Sequence, residues 1–185
     1  MALSKIDVAN MLTGATPVAN GGTALTSGFK NGMTAASQWR LTTDFTNDAV
    51  PIASNLEAVD TDGFGVIGSA MSESSGVFTF PSTGIWLITF ELVCNATSGV
   101  DATIYNIIST SVNAGGAWSE AATKLMAIAT QDDENACSNS FIFDVTNTSN
   151  DLVRFEVYVA NSATTTFGNT GKNETTMTFI RLGDT

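Results

Sequence analysis

The sequence predicts an all-β fold, a sandwich or barrel, preceded by a mostly irregular N-terminal arm. From Ser37 onward, segments of alternating apolar and polar residues are separated by turn residues, which is the pattern of roughly seven to nine strands. No segment of about twelve residues has a convincing helical pattern. Charged residues make up only 14% of the chain, against about 25% in typical soluble domains. Thr, Ser, Asn and Gly replace them, and these residues favour strands and turns.

The arm is predicted over residues 1–36 and the head over residues 37–185. The arm has few large apolar side chains, and Gly14, Pro17 and Gly28, with further glycines between them, exclude regular structure of any length. Such a segment cannot bury enough apolar surface to fold alone. We therefore expect it to be disordered or to lie against another chain.

Three strands are predicted in the first half of the head. Residues 39–45 alternate between apolar and polar side chains, and residues 76–80 lead into a Pro-Ser-Thr-Gly turn. Residues 85–94 show the strongest alternation in the chain, with Trp86 and Phe90 on the apolar face.

The second half continues the pattern. Apolar runs at residues 102–108 and 124–130 are predicted as strands, residues 141–145 and 152–159 alternate strictly, and residues 175–182 form the closing strand. One intervening segment has helical propensity, and we interpret it as a loop that leads into a strand; it covers residues 117–129. The apolar phase of the alternating strands predicts four aromatic core residues: Trp86, Phe90, Phe143 and Phe155.

Several strands carry apolar residues also at the alternate positions, whose side chains point away from the core. A sandwich that stands alone leaves its outer faces in water, so a second apolar face indicates burial against another subunit. The residues that show this pattern are Leu87, Val93, Ile142, Leu152 and Tyr158.

Charge and hydropathy exclude some partners. The net charge is −11, and the seven basic residues are scattered, whereas nucleic-acid binding needs clustered Lys or Arg. We therefore expect no nucleic acid and no anionic membrane as partner. No apolar run reaches the ~18 residues of a membrane helix, and no signal peptide is recognised. Pairing of Cys94 with Cys137 is left open, because spacing alone does not establish a disulfide.

Residues 12–27 resemble a motif that recurs in phage tail-fibre and tail-collar proteins, where three chains wrap together. The matching run reads Pro-Val-Ala-Asn-Gly-Gly-Thr, and Ala24 departs from the usual Gly. The resemblance implies that this segment anchors the chain to a virion. The residues expected to do so are Pro17, Val18, Asn20, Gly21 and Gly22.

Residues 38–184 resemble the globular head shared by complement component subunit q and the tumour necrosis factor family. Trp86 stands where that family has an aromatic Tyr, and Asn150-Asp151 precedes a strand as in the family. The other matching residues are Gly76, Phe78, Pro81, Gly84, Phe90 and Phe179. The resemblance implies a jelly-roll sandwich of about ten strands that forms a homotrimer around a three-fold axis through aromatic faces.

The chain contains no His, which removes the commonest general base and the commonest metal ligand. A glycosidase needs only two carboxylates, but we interpret the candidates as solvated turn residues and predict that the protein is not an enzyme. These candidates are Asp60, Asp62, Glu73, Glu91, Asp132, Asp133 and Glu134.

Two binding features are predicted in loops. Asp60 and Asp62 lie in a Gly-containing loop whose oxygen ligands suit Ca²⁺, although the distant Glu of a full EF-hand loop is missing. Apart from calcium, no cofactor is expected. Trp118, in a Gly-rich loop, is either a loop anchor or a stacking platform for a receptor glycan. The loops expected to gather at one apex are residues 59–65, 113–119, 131–139 and 161–173.

The function predicted from these features is that of a structural bacteriophage virion protein, assembled in the host cytoplasm. In this hypothesis the arm of a trimeric fibre, spike or head-fibre protein docks on capsid or tail proteins, and the head faces outward, where it can meet a host surface glycan. A second hypothesis is a capsid decoration protein that stabilises the shell, and a third is a virion-associated glycan hydrolase. The missing signal peptide disfavours a fourth, a secreted lectin-like module.

Overall fold

A computed structural model describes residues 33–185. The predicted anchoring motif lies outside the described residues. Within them the fold is all-β, as predicted, with twelve strands and no helix. The first six strands are β1 (Ala36–Leu41), β2 (Thr43–Thr46), β3 (Leu56–Ala58), β4 (Ser72–Ser74), β5 (Val77–Thr79) and β6 (Gly84–Ala96). The last six are β7 (Asp101–Ser111), β8 (Ser119–Ile128), β9 (Glu134–Val145), β10 (Leu152–Val159), β11 (Thr164–Asn169) and β12 (Thr176–Gly183).

The strands form two antiparallel sheets. The first sheet is organised around β6, the strand predicted from the strongest alternation. One edge of β6 pairs with β9 along its length, and the other edge pairs with β12 over its first part and with β11 at its end. β1 and β3 continue the sheet beyond β12, and β2 continues it beyond β11. The second sheet has the order β4-β5-β10-β7-β8.

Aromatic side chains fill the space between the sheets. The four predicted core aromatics are all buried: Trp86, Phe90, Phe143 and Phe155. Phe90 and Phe155 join the two sheets with ring centroids 5.0 Å apart. Phe78 packs against Phe155 and Phe179 at 5.4 and 5.2 Å. Burying such rings stabilises the sandwich by several kcal/mol each, on the order of what aromatic truncations cost in other cores.

The structure corrects several element boundaries. Residues 117–129 are largely strand, because β8 begins at Ser119, five residues before the predicted strand. The predicted loop at residues 131–139 is mostly β9, and the predicted loop at 161–173 contains β11. β3 and β4 were not predicted at all. These strands lie at sheet edges or pair polar residues, so they carry little of the apolar alternation on which the prediction depends.

The register defines two ends of the sandwich. At one end, which we call the base, Gly84 pairs with Val145 and the Ala114 N–H donates to the Asn150 carbonyl at 2.9 Å. The base therefore holds the turns at residues 80–83, 112–118 and 146–151. At the other end, the apex, the Ala96 N–H donates to the Asp133 carbonyl and the Asn161 amide donates to the Ser98 carbonyl. The apex holds the turns at residues 97–100, 129–133 and 160–163.

The chain runs into the head at the base. Ala36 pairs with Ile180, and Ile180 pairs with Leu87 near the start of β6. Arg181 donates to the Thr83 carbonyl at 2.8 Å and to Thr34 Oγ1 at 2.9 Å. Residues 34–36 therefore belong to the head, which begins before the predicted boundary at residue 37. The described residues contain no helix long and apolar enough to cross a membrane.

Candidate functional site

An apolar row crosses the outer face of the first sheet. Five residues lie next to one another in direct strand register: Ile67, Ala36, Ile180, Leu87 and Ile142. At strand spacings of about 4.8 Å the row is roughly 19 Å wide. Ile142, at its β9 end, is 59% exposed. We call these five residues the apolar row; its ends are exposed and its centre is half-buried, and contiguous apolar surface is typical of an interaction surface.

The same face becomes polar toward the apex. Arg40, fully buried, anchors the loop after β3 to the sheet by donating to Glu57 at 2.8 Å, Thr61 at 2.7 Å and Asp60 at 2.5 Å. A shallow depression beside it is lined by residues that include Glu91, Val93, Ala136, Ser138 and Glu174. The face therefore offers an aliphatic surface near the base and a hydroxyl- and carboxylate-bearing surface near the apex.

The residues of the predicted second apolar face lie on two different sheets. Leu87, Val93 and Ile142 are on the outer face of the first sheet, whereas Leu152 and Tyr158 belong to β10 of the second sheet. One subunit contact cannot bury both sets, because the two faces point in opposite directions. The apolar row itself contains no aromatic residue, so the aromatic face implied by the resemblance is not the one that this row provides.

Aromatic residues are found instead on the outer face of the second sheet. Tyr158 of β10 pairs with Tyr105 of β7, and Tyr105 pairs with Leu125 of β8. Tyr105 is 39% exposed. On the same side of β10, Arg154 Nε donates to Glu156 Oε1 at 2.7 Å, and the Glu156 carboxylate is only 3% exposed. A charged pair thus lies between the tyrosines and the base.

Trp118 lies at the base and packs onto this second face. The guanidinium of Arg154 is 4.4 Å from the centroid of its ring, a cation–π contact. The ring also lies close to Gly115, where an added Cβ would be 3.7 Å from the indole. Trp118 is half-buried. It therefore anchors its loop while keeping part of the indole accessible, and its predicted role in receptor binding stays a prediction.

The predicted calcium ligands, Asp60 and Asp62, lie in the loop after β3. Asp60 accepts a hydrogen bond from Arg40, so a protein cation already neutralises it. Within residues 33–185, no three His, Cys, Asp or Glu side chains are grouped so as to hold a metal ion. The calcium prediction thus has no cluster of ligands in the described part of the chain.

The seven carboxylates considered for hydrolysis are spread over the head. Asp60 and Asp62 are in the loop after β3, and residues 132–134 are at the exposed apex. Glu73 Oε1 accepts the Gly76 N–H at 2.6 Å in the turn after β4. Glu91 Oε2 accepts from Thr176 Oγ1 at 3.0 Å on the first sheet. These residues occupy four separate regions rather than one cleft.

The predicted loops do not surround a single apex. Residues 113–119, with Trp118, lie at the base, next to the point where the chain runs into the head. Turns 129–133 and 160–163 lie at the opposite end, and residues 59–65 lie along the side of the first sheet. The physical reason is that successive turns of an antiparallel chain alternate between the two ends of the sandwich.

Both cysteines are free thiols in this structure. Burial raises the pKa of Cys94 to about 12, although a hydrogen bond with Thr166 lowers it. Desolvation likewise raises the pKa of Cys137. Since the thiolate is the reactive form, neither residue is suited to nucleophilic chemistry at neutral pH.

No protein-family model and no curated protein sequence matches the chain. Similar solved structures do match. A crystal structure of murine APRIL is 13% identical, covers 80% of this chain and 98% of its own, and has a TM-score of 0.57. The structure of Eiger TNF from S. frugiperda is 12% identical, covers 81% of this chain and 93% of its own, and has a TM-score of 0.56. The likeness establishes the fold, which is the tumour necrosis factor type of jelly roll that residues 38–184 resemble.

Sequence reasoning missed part of both outer faces. Ile180 follows the core residue Phe179, and this position alone would have assigned it to the outer face of the closing strand. Tyr105 was also missed, although it lies in β7 on the phase opposite to the core; its register partner Tyr158 was already among the residues predicted for a second face. No sequence pattern identified Ile67, because it joins the row through an isolated β-bridge outside the strands.

Proposed function

We propose that the protein is a homotrimeric, non-enzymatic structural protein of a bacteriophage particle. In this proposal the N-terminal arm docks on other virion proteins and the jelly-roll head faces away from the particle. The tail-fibre-like motif at residues 17–23 supports the phage origin. The scattered carboxylates and the raised cysteine pKa values support a role other than catalysis.

The apolar row is the observation that carries the trimer. Ile67 and Ile142 at its two ends are exposed and the three residues between them are half-buried, so covering the row removes apolar surface from water at about 25 cal/mol per Å². The row ends at Ile142, on β9, whose second edge has no hydrogen-bonded strand among the described residues. Packing the row of one subunit against the β9 edge of the next is a head-to-tail contact, which closes into a ring of three when successive subunits are related by a rotation of about 120°.

The point at which the chain enters the head supports an outward-facing head. The chain runs into the sandwich at the base, where Arg181 joins Thr34 to the Thr83 carbonyl. An arm attached to the particle would therefore leave the apex turns farthest from it. Three arms held together by the trimer also have a raised effective concentration for their attachment site.

Labelling intact particles tests the location. An antibody raised against residues 33–185 and detected by immunogold electron microscopy should mark phage particles at discrete sites. Labels at capsid vertices or the tail tip support a fibre or spike, and labels over the whole shell support a decoration protein. Purified particles that carry no label would refute a virion role.

A further inference from the structure

The outer face of the second sheet carries a strip of binding groups on the side of the sandwich opposite to the apolar row. β10 presents Arg154, Glu156 and Tyr158 in succession, Tyr105 lies beside Tyr158, and Trp118 stacks on Arg154. We call these five residues the tyrosine strip. We propose that the tyrosine strip binds a neutral oligosaccharide. The inference rests on the proposed function, because an outward-facing virion head is what would bring a surface glycan to this strip.

The dimensions of the strip favour a chain of sugars over a single ring. Residues two apart on a strand are separated by about 6.6 Å, so Arg154 and Tyr158 are roughly 13 Å apart. Trp118 lengthens the strip toward the base. Tyr and Trp offer an apolar ring body with a polar tip, which suits the alternation of C–H faces and hydroxyl groups along an oligosaccharide.

Glu156 provides a built polar group at the centre of the strip. Its side chain is almost fully buried, and Oε1 is held by Arg154 Nε at 2.7 Å. Among residues 33–185, no hydrogen bond is made to its Oε2 or by the Arg154 Nη groups. A carboxylate oxygen and guanidinium N–H groups held side by side match a sugar hydroxyl, which both donates and accepts. Charge-assisted bonds of this kind are about twice as strong as neutral ones.

The charge around the strip selects a neutral ligand. Desolvation is the largest cause that raises the pKa of Tyr158, and the carboxylates of Glu156, Glu120 and Asp48 raise it further. Arg154 acts in the opposite direction but is outnumbered by these carboxylates, so the phenol, a hydrogen-bond donor at neutral pH, lies in a net negative environment. With a net charge of −11 over the chain, an anionic glycan would be repelled, because summed surface charge acts on ligands before contact.

Fluorine NMR tests the proposal directly, because both tyrosines of the chain belong to the strip. The full-length protein, grown with 3-fluorotyrosine, should give one signal each from Tyr105 and Tyr158. Titration with neutral oligosaccharides of glucose, galactose, mannose and N-acetylglucosamine should shift both signals for at least one of them. Matched oligosaccharides that carry uronic acid or sulfate should leave both signals in place.

Variants separate this strip from other surfaces. Tyr158→Ser and Glu156→Gln should each weaken the binding of the active oligosaccharide at least tenfold in calorimetric titration. Val100→Ser, which changes a residue 53% exposed at the apex, should leave it unchanged. If Glu156→Gln fails to fold, Tyr105→Ser replaces it. The oligomeric mass of every variant is measured first, so a failed trimer is distinguished from a failed glycan site.

Three outcomes would overturn the proposal. In the first, none of the neutral oligosaccharides shifts a tyrosine signal. In the second, binding survives Tyr158→Ser but is lost with Val100→Ser, which would place the site at the apex. In the third, both fluorine signals shift when a purified particle protein is added and neither shifts with any oligosaccharide. The strip would then be a protein-docking surface.

Discussion

At the scale of single residues, buried carboxylates fix the turns of the head. Asp101 is fully buried, and its oxygens accept from Thr164 Oγ1 at 2.6 Å and from the backbone N–H groups of Thr103, Ala160 and Asn161 at 3.0 to 3.3 Å. One side chain thus joins the start of β7 to the turn between β10 and β11. Without Asp101, these buried N–H and O–H donors would have no acceptor and would still be shielded from water. The stability of the apex turns therefore depends on this side chain.

We expect Asp101→Ala to lower the free energy of unfolding by about 3 kcal/mol, because several donors are left without an acceptor. Urea denaturation monitored by tryptophan fluorescence measures the loss. Asp133→Ala is the control, since Asp133 is exposed at the same end and should cost no more than about 0.5 kcal/mol. Equal losses in the two variants would show that Asp101 does not organise the apex.

Cys94 makes stability depend on pH in the alkaline range. Below its ordinary pKa of 9.0 the thiol is protonated in both states, so it contributes no pH dependence. Above pH 9 the unfolded chain releases this proton, whereas burial holds the pKa in the folded chain at about 12. The unfolded state then binds fewer protons, and stability falls from pH 9 toward pH 12.

The free energy of unfolding of the wild type should therefore drop more between pH 8 and pH 10.5 than that of Cys94→Ala. Urea titrations at the two pH values, in the presence of a reductant, give both differences. The other titrating groups are common to the two proteins and cancel in the comparison. An equal drop would mean that Cys94 ionises as readily in the folded chain as in the unfolded chain.

At the scale of elements, apolar alternation identified the strands that face the core on one side. β6, β10 and β12 were predicted close to their observed bounds, because the apolar core residues of each occupy alternate positions, such as Val153, Phe155 and Val157 in β10. β8 and β11 were misjudged, since their outward and edge positions carry Ala, Thr and charged residues. Their positions depend on pairing with β7 and β6, a tertiary interaction that local pattern does not encode.

The start of the head can be tested by truncation. A chain that begins at Met33 keeps the hydrogen bonds of Ala35 and Ala36, whereas a chain that begins at residue 37 loses three of them, to Ile67 and Arg181. Because each lost hydrogen bond costs about 1 kcal/mol, the free energy of unfolding of the shorter chain should be about 3 kcal/mol lower. Thermal unfolding of both chains measures the difference. Equal stability would place the boundary where the sequence predicted it.

At the scale of the whole molecule, the two outer faces have different chemistry and therefore different expected partners. The first sheet offers the aliphatic row, and the second offers aromatic and charged groups. Sequence reasoning detected that a second apolar face exists, but it merged residues of both sheets into one. Only the strand order shows which residues share a face, because adjacent strands in a sheet are distant in the chain.

If the apolar row joins three subunits, the molar mass of the protein in solution shows it. Light scattering coupled to size-exclusion chromatography should give about three times the 19.3 kDa of the chain. Ile142→Asp should reduce the mass to that of a monomer, because it places a charge in the row. Val112→Asp, at a position 68% exposed in a base turn, should remain a trimer. A wild-type protein that is monomeric at micromolar concentration, or a trimer that survives Ile142→Asp, would show that the apolar row does not join the subunits.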